Sequence, residues 1–145
     1  ETERQMLAEQ LAVGIQWHTQ VTLDDCEHLV SQVYCSALPV SYNNVESDLF
    51  QPFAQWVLDA AYQATLYAAV LNAQATGNKK VYLTLLGGGA FGNELSWIVR
   101  SIEKALLHFN RYELDIYIVG YRSKNALVEK MLQKLRNSGH IDRNI

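Results

Sequence analysis

Gly87, Gly88, Gly89 and Gly92 put four glycines within six residues, between the apolar run Val81-Tyr-Leu-Thr-Leu-Leu86 and a helix whose pattern starts near Asn93 or Glu94. A strand emptying into such a turn has the backbone needed to hold a phosphate. Glycine has no Cβ and tolerates positive φ, so successive N–H groups can turn toward one anion. The helix that follows adds its unpaired amino-terminal donors and the positive end of its dipole. The ligand this chemistry points to contains a diphosphate.

The spacing separates this loop from the common nucleotide motifs. It lacks the glycine-x-glycine-x-x-glycine order of the dinucleotide fingerprint, and no Gly-Lys-Ser/Thr ends it as in a triphosphate loop. A glycine turn after a strand can also serve only to let a helix pack closely on the sheet. Three adjacent glycines exceed what close packing needs.

The elements that position the loop follow from hydrophobic spacing. A helix is expected from Glu1 to about His18, on Met6, Leu7, Leu11, Val13, Ile15 and Trp17, with its periodicity failing near Gly14. Thr22 is expected to cap a short helical turn with Asp24 and Asp25 at its start, and Ser31 to Pro39 reads as a strand. Ser47 or Asp48 caps a long helix from about Leu49 to Ala75, on Phe53, Trp56, Val57, Ala60, Ala64, Ala68 and Leu71, which Gly77-Asn-Lys-Lys80 ends. Beyond it come a strand from Val81 to Leu86, a helix from Glu94 to Phe109, a strand from Leu114 to Val119 and a helix from Asn125 to Leu135. This alternation predicts an α/β fold with a parallel sheet buried on both faces. Only three strands are evident. So narrow a sheet, in a chain that starts at Glu1 inside an expected helix, reads as part of a wider domain.

Composition narrows the function classes. The 145 residues are 49% apolar with two prolines, the size of one globular domain. A net charge of −3 gives no basic footprint, which argues against nucleic acid and against anionic membrane surfaces as partners. Cys26 and Cys35 form no disulfide framework or zinc motif, and His18, His28, His108 and His140 are scattered, so neither a metal nor a cofactor is expected. No signal peptide is apparent. The richest apolar stretch, Phe53 to Leu71, is interrupted by Gln55, Asp59 and Gln63, which points to a soluble, cytoplasmic chain. Trp17, Trp56 and Trp97 read as core residues, and Lys79-Lys80 as a solvated loop.

The segment Leu83-Thr-Leu-Leu-Gly-Gly-Gly-Ala-Phe-Gly-Asn93 with Trp97-Ile98, and Gln32-Val-Tyr-Cys-Ser-Ala-Leu-Pro-Val-Ser-Tyr-Asn43 upstream, resembles the macrodomain family. More narrowly it is similar to a divergent poly(ADP-ribose) glycohydrolase-like branch that includes a bacterial effector. The resemblance runs from Gln5 through Tyr121 and corresponds to the C-terminal part of a macrodomain. It implies a three-layer fold, a parallel or mixed sheet flanked by helices, with the whole chain, residues 1–145, as one domain lacking its N-terminal strands.

The resemblance also implies a site. Gly87, Gly88, Gly89, Ala90, Phe91 and Gly92 would cradle the diphosphate of ADP-ribose, with Phe91 and Asn93 against the adjoining ribose. Phe91 can equally fold into the core and Asn93 can equally be a helix cap. Tyr121 would lie beside the adenine, or serve as an interfacial tyrosine. Ser36, Pro39, Ser41, Tyr42 and Asn43 follow a strand and can border the same cleft, Tyr42 and Asn43 foremost, because open α/β sheets bind ligands beyond the carboxyl ends of their strands.

The implied activity is removal of ADP-ribose from modified proteins, with an ADP-ribosylated protein as partner and ubiquitin among the targets that the resemblance brings into view. An effector would be secreted into a host cell. The alternatives are a noncatalytic ADP-ribose reader and a protein-interaction module. The family's earlier catalytic loop has no counterpart here, so no catalytic residue is assigned. Glu1, Glu3, Asp24, Asp25 and Asp59 are the acids weighed, each equally readable as a surface charge.

Overall fold

The computed structural model describes residues 3, 6–7, 9–23, 25–42, 46–120 and 124–141. Among them the chain forms a small α/β fold in the order β1 (Gly14–Gln20), β2 (Leu29–Tyr34), a 3₁₀ turn (Val40–Tyr42), α1 (Ser47–Thr76), β3 (Lys80–Thr84), α2 (Leu95–His108), β4 (Asp115–Val119) and α3 (Ala126–Asn137).

Two strand pairs make separate sheets. β1 and β2 are antiparallel, Gly14 opposite Tyr34 and Gln20 opposite Leu29, with a register shift between Gln16 and Thr19 where His18 adopts φ 52°. β3 and β4 are parallel, from Lys80 opposite Asp115 to Thr84 opposite Val119, with α2 as their crossover.

The core lies on one side of the parallel pair. Val81 and Leu83 of β3 pack with Leu58, Tyr62 and Leu66 of α1, Ile98, Ile102 and Phe109 in and after α2, and Met131 and Leu135 of α3. The opposite face is open: Tyr82 and Tyr117 stack on it with ring centroids 5.2 Å apart, and Val119 is exposed beside them. The expectation of strands buried on both faces is therefore corrected. Residues alternate in and out along β3, as in a half-covered sheet.

α1, α2, α3, β3 and β4 fall within two residues of the expected spans. Gly77 ends α1 in the left-handed conformation, φ 75°, donating its N–H to the Ala73 carbonyl at 2.8 Å. Asn125 caps α3, its side-chain oxygen accepting from the N–H groups of Leu127 and Val128.

The N-terminal third differs more. The helix expected from Glu1 is present at Glu3, Met6 and Leu7 but does not reach His18: Gly14–Gln20 is a strand, because Ile15, Trp17 and Thr19 alternate with polar residues and find a partner in β2. The expected helical turn after Thr22 is the connection of this hairpin, where the Cys26 N–H donates to the Leu23 carbonyl at 3.1 Å. The second strand starts at Leu29 and stops at Tyr34, short of Pro39. Trp17 is 43% exposed rather than a core residue. The cap of α1 is Glu46, acting without a side-chain bond, rather than Ser47 or Asp48.

Candidate functional site

β2 and β3 both run against α1. Ser31 Oγ bonds Asn72 Oδ1 at 2.8 Å and Cys35 Sγ lies 3.9 Å from Thr65 Oγ1, so β2 descends α1 from its C-terminal half toward its middle. β3 leaves the end of α1 at Gly77 and finishes at Thr84, whose carbonyl accepts from the Tyr62 hydroxyl at 2.8 Å. The carboxyl ends of both strands therefore reach one edge of the molecule. There the segment after β2 meets the glycine loop after β3.

Three bonds hold the two segments together. The Ser41 N–H donates to the Phe91 carbonyl at 3.0 Å, the Ser41 hydroxyl donates to the Ala90 carbonyl, and Asn93 Nδ2 donates to the Leu38 carbonyl at 2.7 Å. Ring contact adds to them, Phe91 meeting Tyr42 edge-on with centroids 5.9 Å apart. The structure thus brings Tyr42 to the loop as expected. Asn43 and Tyr121 lie outside the described residues.

The loop's own hydrogen bonds are lopsided. Its carbonyls at Gly87, Gly89, Ala90 and Phe91 all accept bonds, from Asn93, Gly92 and Ser41. Among the described residues the N–H groups of Gly87, Gly89, Ala90 and Phe91 donate to nothing. Leu95 and Ser96, the first residues of α2, likewise keep their amides for an outside acceptor, as helix starts do. A stretch of backbone whose oxygens are tied back and whose nitrogens are open is a local patch of positive potential without any cationic side chain.

Glycine is needed in this loop for more than one reason. Gly87 has φ 78°, and a Cβ there would lie 2.4 Å from that of Ala37; Gly92 has φ 68°, and its Cβ would lie 2.7 Å from that of Ser41. These two allow the loop and the segment after β2 to touch. A Cβ on Gly89 would meet nothing within 4 Å, at an ordinary φ. The fold itself does not ask for glycine at Gly89.

Asn93 is 4% exposed, and besides the Leu38 bond its Nδ2 lies 3.4 Å from the Gly87 carbonyl. Its side chain is a staple across the loop. It is not the cap of α2, a place taken by Glu94, whose side chain makes no capping bond. Asn93 Oδ1 is buried with no hydrogen-bond partner. Phe91 is half-buried, with packing contact to the core.

Tyr62 supports the same edge from below. Its hydroxyl donates to the Thr84 carbonyl and accepts from the Leu86 N–H at 3.0 Å, and burial pushes its pKa up to about 12. Sequence reasoning gave no sign of this role, since an aromatic on the inner stripe of α1 reads as core. Ser41, by contrast, was legible as a residue following a strand. Of the acids weighed, Asp59 bonds Ser101 Oγ at 2.6 Å and Lys104 Nζ at 2.8 Å between α1 and α2, a structural task. Asp25 sits in the hairpin connection at φ 52°, and Glu1 and Asp24 lie outside the described residues. No group of three or more possible metal ligands occurs among the described residues, and none of their helices is long and apolar enough to cross a membrane.

No family model, curated protein or solved structure matches this chain. The loop's chemistry rests on its own geometry.

Proposed function

We propose that the loop Gly87–Gly92 binds the diphosphate of ADP-ribose and that the chain is part of a macrodomain-like unit that removes ADP-ribose from modified proteins. The observation that carries this reading is the lopsided loop: four tied carbonyls and four open amides beside a helix start. An oxyanion at that point gains charge-assisted hydrogen bonds that neutral ligands do not. Tyr42 and Phe91, already in contact at the rim, offer aromatic surface to the neighbouring ribose. Fixing the diphosphate orients the distal sugar, where bond cleavage at the anomeric carbon would take place.

A noncatalytic ADP-ribose reader is the second reading, favoured by one observation: Asp59 is spent on Ser101 and Lys104. Hydrolysis requires a carboxylate, or an equivalent group, near the anomeric carbon.

Calorimetric titration of ADP-ribose tests the binding. Gly89→Glu places bulk and negative charge where the fold has open space, so the protein stays folded and binding falls at least about tenfold, the equivalent of one charge-assisted bond. AMP, which lacks the diphosphate, binds more weakly than ADP. Equal binding by Gly89→Glu, or none by the parent chain, overturns the assignment of the loop. Release of ADP-ribose from a modified protein then separates hydrolase from reader.

A further inference from the structure

β2 and β3 do not pair with each other. Between them lies a cleft of about 820 Å³, floored by Tyr62, Thr65, Ala68, Ala69, Asn72 and Thr76, a stripe of α1 at three- and four-residue steps. Leu29 to Val33 of β2 and Lys80 to Thr84 of β3 line it as unbroken runs of five residues each. A strand that offered only a face to a cavity would line it with every second residue. Unbroken runs mean that the cleft is bounded by backbone edges, each with its other edge already paired, β2 to β1 and β3 to β4.

The edge of β3 is satisfied at one end by a side chain. Tyr62 bonds the Thr84 carbonyl and the Leu86 N–H, the acceptor and donor that a neighbouring strand would use. The remaining length of both edges faces the cleft, and both strands run in the same sense.

The lining is also asymmetric in charge. Lys80 is the charged side chain of the lining among the described residues, with no carboxylate beside it in the cleft and no ion pair, and the polar rings of His28 and His18 also lie on it. Lys80 and His28 stand at the amino ends of the two strands, beside the polar Asn72, Thr76 and Asn78. The other end, near Cys35, Tyr62 and Leu86, is uncharged, and burial pushes the Cys35 thiol up, away from its charged form.

We infer that this cleft is a strand-addition site, taking an extended peptide segment of about five residues with apolar side chains at alternate positions over α1 and an acidic residue at the end beside Lys80. The occupant hydrogen-bonds β2 on one side and β3 on the other, and joins the two pairs into one sheet. The small side chains of Thr65, Ala68 and Ala69 leave room beneath it for branched aliphatic groups. This inference does not depend on what the glycine loop binds.

The test uses a fluorescein-labelled heptapeptide, Glu-Val-Thr-Val-Thr-Val-Glu, titrated into the chain by anisotropy, with amide hydrogen exchange followed at Val30–Val33 and Val81–Thr84. Saturable binding that slows exchange at least tenfold in both strands together is expected. The same peptide N-methylated at alternate residues loses one set of backbone donors and fails to bind, with no change to the protein. Failure of the unmodified peptide to bind overturns the proposal, as does binding that protects only one strand. Edges already protected in the peptide-free chain overturn it too, whether they close on each other or, by sedimentation, on a second copy.

Discussion

The two strand pairs are held in opposite ways. β3 and β4 are anchored by a core in which Leu58, Leu66, Ile98 and Ile102 have no exposed surface. β1 and β2 contain no buried residue; Leu29 and Tyr34 are more than half exposed, and among the described residues the side-chain hydrogen bonds from β2 and its end to α1 are Ser31 to Asn72 and the weak contact of Cys35 with Thr65. The C-terminal half therefore carries most of the buried core, and the exposed hairpin joins it through its continuation, where Ala37 and Val40 are buried. The edge beside the glycine loop is thus firmly held, while the two strands of the hairpin that lead to it are not.

Core truncation makes the largest test of that contrast. Leu58→Ala or Ile102→Ala should cost about 2–5 kcal/mol, and Leu29→Ala no more than about 0.5 kcal/mol, by urea unfolding. A Leu29 variant as damaging as the core variants would mean that the hairpin is held by more than α1.

Next comes the seam between the halves. Gly87→Ala combines a positive φ with the Ala37 contact and should cost about 3 kcal/mol, while Gly89→Ala changes stability by less than about 0.5 kcal/mol. Equal costs at the two positions would show that the loop lets go of Ala37 without penalty.

Tyr62, which ties α1 to the end of β3, makes the stability of that half depend on pH. Its folded pKa, about 12, lies above its ordinary value of 10.0, so the neutral hydroxyl is the form the fold favours. Its contribution is fully present below pH 10 and is lost as pH rises toward 12, at roughly 1.4 kcal/mol per unit of separation. Tyr62→Phe should lower stability at pH 8 by about 1 kcal/mol and flatten the decline between about pH 10 and 12. An unchanged alkaline decline in that variant would move the cause elsewhere. The smallest effect is expected at Lys79 and Glu113, an exposed pair beside β3 and β4, where Lys79→Ala leaves the unfolding midpoint unmoved.

The C-terminal two thirds were legible because their apolar residues keep one period for whole elements: Trp97, Ile98, Ile102 and Ala105 make a single inner stripe. β1 was misread because the helical start at Met6 and Leu7 was extended too far: Leu11, Val13, Ile15 and Trp17 already alternate with the period of a strand, and the pairing with β2 uses it. In the loop, four glycines in six residues marked an unusual backbone but not which of them serve packing. Gly87 and Gly92 are explained by Ala37 and Ser41, and Asn93 by Leu38, 55 residues earlier, none of which any local pattern announces.

The edge of β3 lines the cleft, and its carboxyl end becomes the glycine loop. If a strand docked in the cleft changes the loop's affinity for an anion by some factor, the anion changes the strand's affinity by that same factor.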